Sequence, residues 1–209
     1  MSNQDYKNQA LAALKGNWAP AVLATIVYFI VAGAFETPNM LNELHLFNFW
    51  YAAPLTLVGM ILIIPFSLGF MNAFKELLRG DNRITGNSFR IGFSGGRYLH
   101  LLWGYILMTI KLILWYLLLI IPGIIKSFSY AMTPFILVDE PELSALQAIK
   151  KSRRMMKGHK FDLFWLLLSF IGWIILCIFT LGIGIFWLIP YIYTSFAAFY
   201  ENVKAEYQE

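Results

Sequence analysis

Side chains that could carry out chemistry are few and scattered in this sequence. The three histidines, His45, His100 and His159, fall in different segments, and the single cysteine, Cys177, lies inside an apolar run. The sequence has no His-Glu-x-x-His pair for zinc, no Gly-x-Ser-x-Gly elbow for a nucleophile, and no glycine-rich phosphate loop. We therefore predict a protein that is not an enzyme and that holds no metal or cofactor.

Two lysines, Lys111 and Lys126, interrupt the otherwise apolar stretch 98–138. An ammonium group at membrane depth is costly and so marks a candidate functional position, although a long side chain can also reach the headgroups by snorkelling. We expect Lys126 to snorkel to the outer headgroups. Lys111 is expected to need an internal partner, such as a freed carbonyl, Ser67 or Ser169.

The composition predicts which solvent surrounds these residues. Hydrophobic residues make up 59% of the 209-residue chain and charged residues only 13%, against about 25% charged in soluble domains. Because a span needs about 20 apolar residues, we predict an all-α polytopic membrane protein with a single domain, 1–209. Its transmembrane helices are predicted at 17–35, 52–74, 98–121, 123–138, 161–180 and 183–203. We place the turn between the third and fourth at Pro122, the local helix breaker, and the alternative is a turn a few residues earlier.

The distribution of positive charge predicts the orientation. The chain has 16 lysines and arginines, and the segments 36–51 and 180–184 contain none of them. Since basic loops remain in the cytoplasm, we predict that both termini face the cytoplasm. The basic residues are expected to contact anionic membrane lipids rather than nucleic acid.

An internal repeat relates the even-numbered helices. The segment "GMILIIPFSLGFMNAFKE" from Gly59 aligns with "GIFWLIPYIYTSFAAFYE" from Gly184, and a fainter copy begins at Pro122. The segments "LKGNW" and "MKGHK" introduce the first and fifth helices in the same way. We predict three helical hairpins, and chance similarity between apolar segments is the alternative. The matching pairs include Pro65/Pro190, Ala73/Ala198, Phe74/Phe199 and Glu76/Glu201.

Proline kinks are predicted at Pro65, Pro122 and Pro190. A proline inside a helix leaves the carbonyl four residues earlier without its hydrogen bond, and in a bilayer that carbonyl needs another partner. For Pro65 and Pro190 the freed carbonyls are those of Ile61 and Phe186. They either mark structural kinks or bind a ligand.

An amphipathic cytoplasmic helix is predicted at 141–157, beginning at Pro141 and ending before Gly158. Its apolar residues, among them Leu146 and Ile149, are expected to lie on the membrane surface. Its cations are candidates for binding anionic lipid headgroups, or they serve only to enforce the topology. These candidate lipid-binding residues are Lys150, Lys151, Arg153, Arg154 and Lys157.

The run from Ser129 to Tyr200, which contains "KSRRMMKGHK" and "PYIYTSFAAFY", resembles the bacterial membrane family known as domain of unknown function 975. The stretches "RYLHLLWGYIL" and "LIIPGIIKSFSY" resemble it too. A more distant pattern is similar to the membrane domain attached to some glycerophosphodiester phosphodiesterases, whose catalytic domain is absent here. It consists of Ala148, Ser152, Lys157 and Gly158. The resemblance implies a polytopic bacterial inner-membrane protein without assigned activity.

Two functions fit these observations. The first is a non-enzymatic membrane module that binds lipid, or partner membrane proteins, through its basic cytoplasmic segments. The alternative is a small-solute or ion transporter or channel that uses the proline-broken helices and Lys111, since broken helices mark binding sites in transporters.

Overall fold

The computed structural model describes residues 2–43, 49–81, 84, 93 and 97–208 of the chain. No side chain of 36–49, 51–53, 57 or 60 is described. The described residues are helical and contain no strand, which confirms the all-α fold. The helices are α1 (Asn3–Leu14), α2 (Trp18–Glu43), α3 (Phe49–Leu78), α4 (Arg97–Leu118), α5 (Ile120–Tyr130), α6 (Thr133–Asp139), α7 (Ala145–Met155), α8 (Lys160–Leu168), α9 (Ile171–Phe179) and α10 (Ile185–Gln208).

Five stretches are long and apolar enough to cross a membrane, which supports a membrane protein by length and composition. The predicted sixth span corresponds to α10, which is not among the five because its second half is polar. The five stretches are Trp18–Phe35, Pro54–Leu78, Arg97–Leu118, Ile120–Asp139 and Lys160–Phe179.

Several predicted boundaries differ from the structure. The break between the third and fourth predicted helices lies at Leu119, whose backbone is extended, and not at Pro122. Pro122 instead occupies the first turn of α5, where its missing N–H breaks no helical hydrogen bond. The fourth predicted helix is interrupted between α5 and α6, and the fifth between α8 and α9. The sequence analysis missed α1 altogether.

The newly found α1 corresponds to α7. Each begins with a serine capping box, at Ser2 and Ser144, and each is followed by a glycine with positive φ, Gly16 and Gly158. A left-handed backbone at such a position favours glycine. Residues at the same distance before Gly16 and before Gly158 are buried in both helices. The coinciding pairs are Tyr6/Ala148, Lys7/Ile149, Ala10/Ser152 and Leu14/Met156.

The repeat therefore comprises a capped amphipathic helix, a Lys-Gly turn, an apolar helical segment and a proline-containing helix. One copy is α1–α3 and the other is α7–α10, with Pro65 and Pro190 inside their last helices. The third copy predicted at Pro122 is not equivalent, since that proline lies in a first turn. The segment α4–α6 is thus inserted between two copies.

Aromatic contacts hold α2, α3 and α10 together. The rings of Tyr28 and Phe70 stack with centroids 4.5 Å apart, and Phe70 meets Tyr193 edge-on at 5.2 Å. Tyr6 of α1 packs against Phe199 of α10 at 5.3 Å. Both chain termini consequently lie at the same end of the molecule, which we call the terminal end.

Candidate functional site

A buried carboxylate, Asp139, gathers cations at the terminal end. Lys75 of α3 forms an ion pair with it, and the guanidinium of Arg79 donates to both its oxygens at 2.8 and 3.3 Å. Lys204 of α10 lies 2.7 Å away, and the Tyr200 hydroxyl donates to the same oxygen at 3.0 Å. The carboxylate thus ties the last turns of α3 and α10 to the end of α6. We call these residues, with Glu76 and Glu201, the Asp139 cluster.

The Asp139 cluster follows the internal repeat. The alignment that pairs Glu76 with Glu201 also pairs Lys75 with Tyr200 and Arg79 with Lys204. Both members of each of the latter two pairs contact Asp139. Equivalent positions of the two copies therefore converge on one acceptor supplied by the inserted segment.

The charges within the cluster balance. Three cations face three carboxylates, because Arg79 also contacts Glu76 at 3.6 Å and Glu201 at 2.8 Å. Burial alone would lower the pKa of Arg79. The hydrogen bond to Asp139 and the nearby charges of Asp139 and Glu201 raise the pKa by more than burial lowers it, so the pKa lies above its ordinary value. Lys75 is only 1% exposed and Asp139 6%. Arg79, Glu76 and Glu201 at its edge are 32–36% exposed. A cluster with balanced charges and a buried centre holds helices together and has little charge left for an external anion.

The amphipathic helix α7 packs against other helices of the protein and not on the membrane surface. It spans Ala145–Met155 and is capped by Ser144, so Pro141 precedes the helix instead of starting it. Its apolar face packs inside the protein: Ile149 is 3% exposed and clusters with Met108 and Tyr130. The expectation that this face lies on the membrane is therefore wrong for Ile149. Only Leu146, 55% exposed, points outward.

Because the apolar face of α7 is buried, its cations point away from the bundle. Lys151 is bound by both oxygens of Glu140, at 2.5 and 2.7 Å. The other four predicted lipid-binding cations are exposed, and none forms an ion pair or side-chain hydrogen bond with another described residue. We call these four, Lys150, Arg153, Arg154 and Lys157, the basic face of α7.

A shallow cleft of about 330 Å³ adjoins the basic face. Gln147, Lys150 and Arg154 of α7 line it together with Tyr207 from the end of α10. Ammonium, guanidinium, amide and phenol groups all donate hydrogen bonds. The cleft can therefore accept an anionic oxygen group without displacing an internal partner.

A further lysine, Lys7, is buried between α1 and the interruption that separates α8 from α9. Its ammonium donates to the Ser169 carbonyl at 3.0 Å and lies 4.6 Å from the Phe170 ring centroid. Burial lowers the pKa of Lys7. Helix ends leave carbonyls without helical partners, so Lys7 satisfies one that the interruption exposes.

The Ile61 carbonyl, which Pro65 leaves without its helical hydrogen bond, accepts a hydrogen bond from another helix. The hydroxyl of Tyr98, in the first turn of α4, donates to the Ile61 carbonyl at 3.3 Å. The prediction that this carbonyl needs a partner is confirmed, and the partner is part of the protein. For Pro190 the equivalent partner of Phe186 stays a prediction.

The two intramembrane lysines are not placed as expected. Lys126 lies 4.4 Å from the Trp115 ring centroid and is repelled by Arg153 and Lys160. It therefore lies beside the cations of α7 and α8 rather than at the opposite surface. Lys111 is half-buried, and neither Ser67 nor Ser169 binds it: Ser67 pairs with Tyr28 and with a carbonyl, and Ser169 accepts from Lys7.

Histidines and other metal ligands do not converge in the described part of the chain. His159 lies 3.4 Å from Asp162 and 3.3 Å from Glu206, at the terminal end. His45, in the segment 36–51, lies outside the described residues. Trp50 of the same segment is 79% exposed.

Sequence reasoning missed the Asp139 cluster. Asp139 follows directly on an apolar run, and its neighbours in sequence give no sign of partners from distant helices. The repeat places Arg79 opposite Lys204 at two equivalent helix ends, and this equivalence is the signal that the sequence offers.

Comparison with known proteins relates part of the chain to one family. Residues 117–207, from the end of α4 to the last turn of α10, match the family described as "Protein of unknown function (DUF975)". Neither the comparison with curated proteins nor that with solved structures found a match. Residues 117–207 of the chain are therefore similar to the DUF975 family, in line with the resemblance found in the sequence.

Proposed function

We propose that this protein is a non-enzymatic membrane protein that binds anionic phospholipid headgroups through the basic face of α7. The observation that carries the proposal is the burial of the apolar face of that helix. With Ile149 and Met155 packed inside the protein, the four outward cations are fixed in direction instead of being free to rotate with a surface helix. A fixed row of cations suits phosphate oxygens.

The contact between Lys151 and Glu140 indicates which cations of α7 are available to bind a phosphate. Because Lys151 is held by that carboxylate, Lys150 and Arg154 are the cations that line the cleft with their charge available. Tyr207 offers a hydroxyl in the same cleft. A phosphate that enters the cleft accepts from both helices, so the end of α10 contributes to binding as well as α7.

The proposed orientation places the terminal end in the cytoplasm of a bacterium, with the protein in the inner membrane. Two observations support it: α1 packs on α10, so the two termini share an end, and the basic face lies at that end. The hairpins α2–α3 and α8–α10 then cross the bilayer, and the turn at 180–184 faces outward.

The test is a titration of the purified chain in detergent with phosphatidylglycerol and, separately, with phosphatidylcholine, read by native mass spectrometry. We compare the wild type with the double variant Lys150→Gln, Arg154→Gln. Each cation near an anionic lipid surface contributes about 1 kcal/mol. We therefore expect the double variant to bind phosphatidylglycerol roughly 30-fold more weakly, with phosphatidylcholine unchanged.

A matched control removes the same charge elsewhere. Lys15 and Arg97 are exposed cations outside α7, and the variant Lys15→Gln, Arg97→Gln should keep its phosphatidylglycerol affinity. Equal losses in the two double variants would mean that net charge alone attracts the lipid, and the proposed site would be rejected.

A further inference from the structure

His159 lies at the junction between α7 and α8 and faces two carboxylates from different helices. Its Nδ1 is 3.4 Å from Asp162 in the first turn of α8, and its Nε2 is 3.3 Å from Glu206 in the last turn of α10. Both ring nitrogens of an imidazolium donate hydrogen bonds, whereas a neutral imidazole has one donor and one acceptor. Only the protonated ring can therefore bond to both carboxylates.

The groups around His159 do not share its range of titration. An imidazole changes charge between about pH 5 and about pH 8, whereas carboxylates and ammonium groups ordinarily stay charged over that range. The nearby phenol is Tyr6 of α1. Burial, together with the charges of Glu206, Asp162 and Asp5, raises the pKa of Tyr6 to about 12, so this phenol stays neutral. The charged side chains near His159 are Asp5 of α1, Asp162 of α8, Glu206 of α10, and Lys157 and Lys160 beside it in sequence.

The last turn of α10 connects His159 to the cleft beside the basic face. Tyr207, the residue after Glu206, lines that cleft together with side chains of α7. The Lys151 ammonium lies 5.8 Å from the centroid of the Tyr207 ring. A change in the contact between His159 and Glu206 therefore acts directly on the neighbouring residue, which forms part of the cleft.

The first copy of the repeat lacks this histidine. After the Lys-Gly turn, Asn17 stands at the position of His159, and its amide donates to the carbonyl of Ala13 at 3.2 Å. The helix α1 also has Ala12 where α7 has Arg154. The titratable side chain thus occurs in the copy that carries the basic face, and an asparagine is compatible with the same turn.

We propose that His159 makes lipid binding at the basic face of α7 dependent on pH. The protonated ring bridges Asp162 and Glu206 and holds the last turn of α10, with Tyr207 in the cleft. When the proton is lost, one ring nitrogen becomes an acceptor that faces a carboxylate oxygen, so one of the two contacts breaks. The bridge therefore strengthens phosphate binding in acid and is lost as the pH rises. The inference rests on the proposed function.

The first experiment measures binding of phosphatidylglycerol to the full chain in detergent at about pH 5 and about pH 8. The carboxylates of Asp162 and Glu206 are 52% and 45% exposed, and exposed ion pairs contribute little. We therefore expect the wild type to bind only roughly two- to five-fold more weakly at the higher pH. His159→Asn, which introduces the residue of the first copy, should bind equally at both. His100→Gln, which removes a histidine of α4, is the control and should keep the wild-type pH dependence.

Glu206→Gln separates the bridge from simple charge. This variant leaves the imidazole free to titrate but removes its partner on α10, so its lipid binding should not depend on pH. A pH dependence that survives in Glu206→Gln would mean that the added positive charge attracts the lipid without the bridge. That result, or a pH dependence that survives in His159→Asn, overturns the proposal.

Hydrogen exchange tests the bridge without lipid. Backbone amides of residues 203–208 are compared in the wild type and in His159→Asn at the same pH, so the intrinsic effect of pH on exchange cancels. We expect the wild type to exchange roughly two- to five-fold more slowly at about pH 5 and at the same rate as the variant at about pH 8.

The two measurements separate the failure of this proposal from that of the proposed function. Lipid binding that requires Lys150 and Arg154 but does not depend on pH overturns the proposal and leaves the proposed function standing, and so does equal exchange in the wild type and His159→Asn at both pH values. Exchange that responds to pH, in a chain whose lipid binding ignores Lys150 and Arg154, rejects the lipid site itself and this inference with it.

Discussion

The Asp139 cluster and the basic face of α7 lie at the same end of the molecule and use the same residue types. In the cluster every cation meets a carboxylate, and Lys75 is almost fully enclosed. On α7 the cations Lys150 and Arg154 are exposed and line an open cleft. Identical side chains therefore stabilise helix packing in one place and offer a binding surface in the other.

The difference arises from what each helix buries. The last turns of α3 and α10 face each other, so their cations share the acceptor Asp139. In α7 the inward positions are taken by Ala148, Ile149 and Ser152, which leaves the cations outside. Burial, and not charge count, decides which cations can bind a partner.

The largest expected effect comes from breaking the Asp139 cluster. Asp139→Asn leaves the enclosed Lys75 ammonium with only the more distant Glu76 carboxylate, 3.9 Å away, among the carboxylates that it contacts in the described structure, and breaking a buried ion pair costs about 3–5 kcal/mol. We expect a loss of that size in the free energy of unfolding, measured in mixed detergent micelles. Glu142→Gln, which alters an exposed carboxylate nearby, should have no effect.

A second substitution identifies the cause of that loss. Lys75→Met in the Asp139→Asn background removes the buried ammonium that has lost its nearest carboxylate, so part of the lost stability should return. If Asp139→Asn unfolds like Glu142→Gln, the cluster does not hold the helices.

The next largest effect is expected from salt, which should weaken lipid binding by the basic face of α7 but not the stability contributed by the Asp139 cluster. Raising the ionic strength to about 1 M shortens the Debye length to about 3 Å, so the exposed basic face should lose most of its preference for phosphatidylglycerol. The stability difference between wild type and Asp139→Asn should persist, because the buried pairs are screened less. Lipid binding that is insensitive to salt would contradict the assignment of exposed cations.

A smaller effect tests how α7 is held. Gly16 and Gly158 both have positive φ, and an L-residue in a left-handed conformation costs about 1–2 kcal/mol. We expect Gly16→Ala and Gly158→Ala to lower the free energy of unfolding by similar amounts, as equivalent positions of a repeat should. Gly172→Ala, in α9 with open space around its Cβ position, is the control and should not destabilise.

The smallest effect concerns the attachment of α4. Tyr98→Phe removes the hydrogen bond to the Ile61 carbonyl, and such bonds between membrane helices contribute about 0.6 kcal/mol on average. In a Pro65→Ala background the restored N–H satisfies that carbonyl, so Tyr98→Phe should cost less there. Equal costs in both backgrounds would mean that the bond does not compensate for the proline.

The sequence predicted the helical class, most apolar helices and the pairing of Pro65 with Pro190, because apolar length and residue spacing are local properties. It could not predict that α7 turns its apolar face inward. Amphipathic patterns are the same for a helix on a membrane and for a helix on a protein. Only the position of Met108 and Tyr130 in space decides between them.

The candidate site was predicted in part. The cations of α7 were identified from their density in one segment, but Lys151 could not be set apart from Lys150, since its partner Glu140 belongs to the preceding turn. Asp139 was missed because its partners come from α3 and α10, distant in sequence. The α1 helix was missed because it is short and only weakly apolar.

The most direct test of the account is the lipid that copurifies with the protein from native membranes. After mild extraction, retained lipids are identified for the wild type, for Lys150→Gln, Arg154→Gln, and for Lys15→Gln, Arg97→Gln. The account predicts that anionic phospholipids are enriched on the wild type and on the Lys15/Arg97 variant and lost from the Lys150/Arg154 variant. An unchanged lipid profile in all three would contradict it.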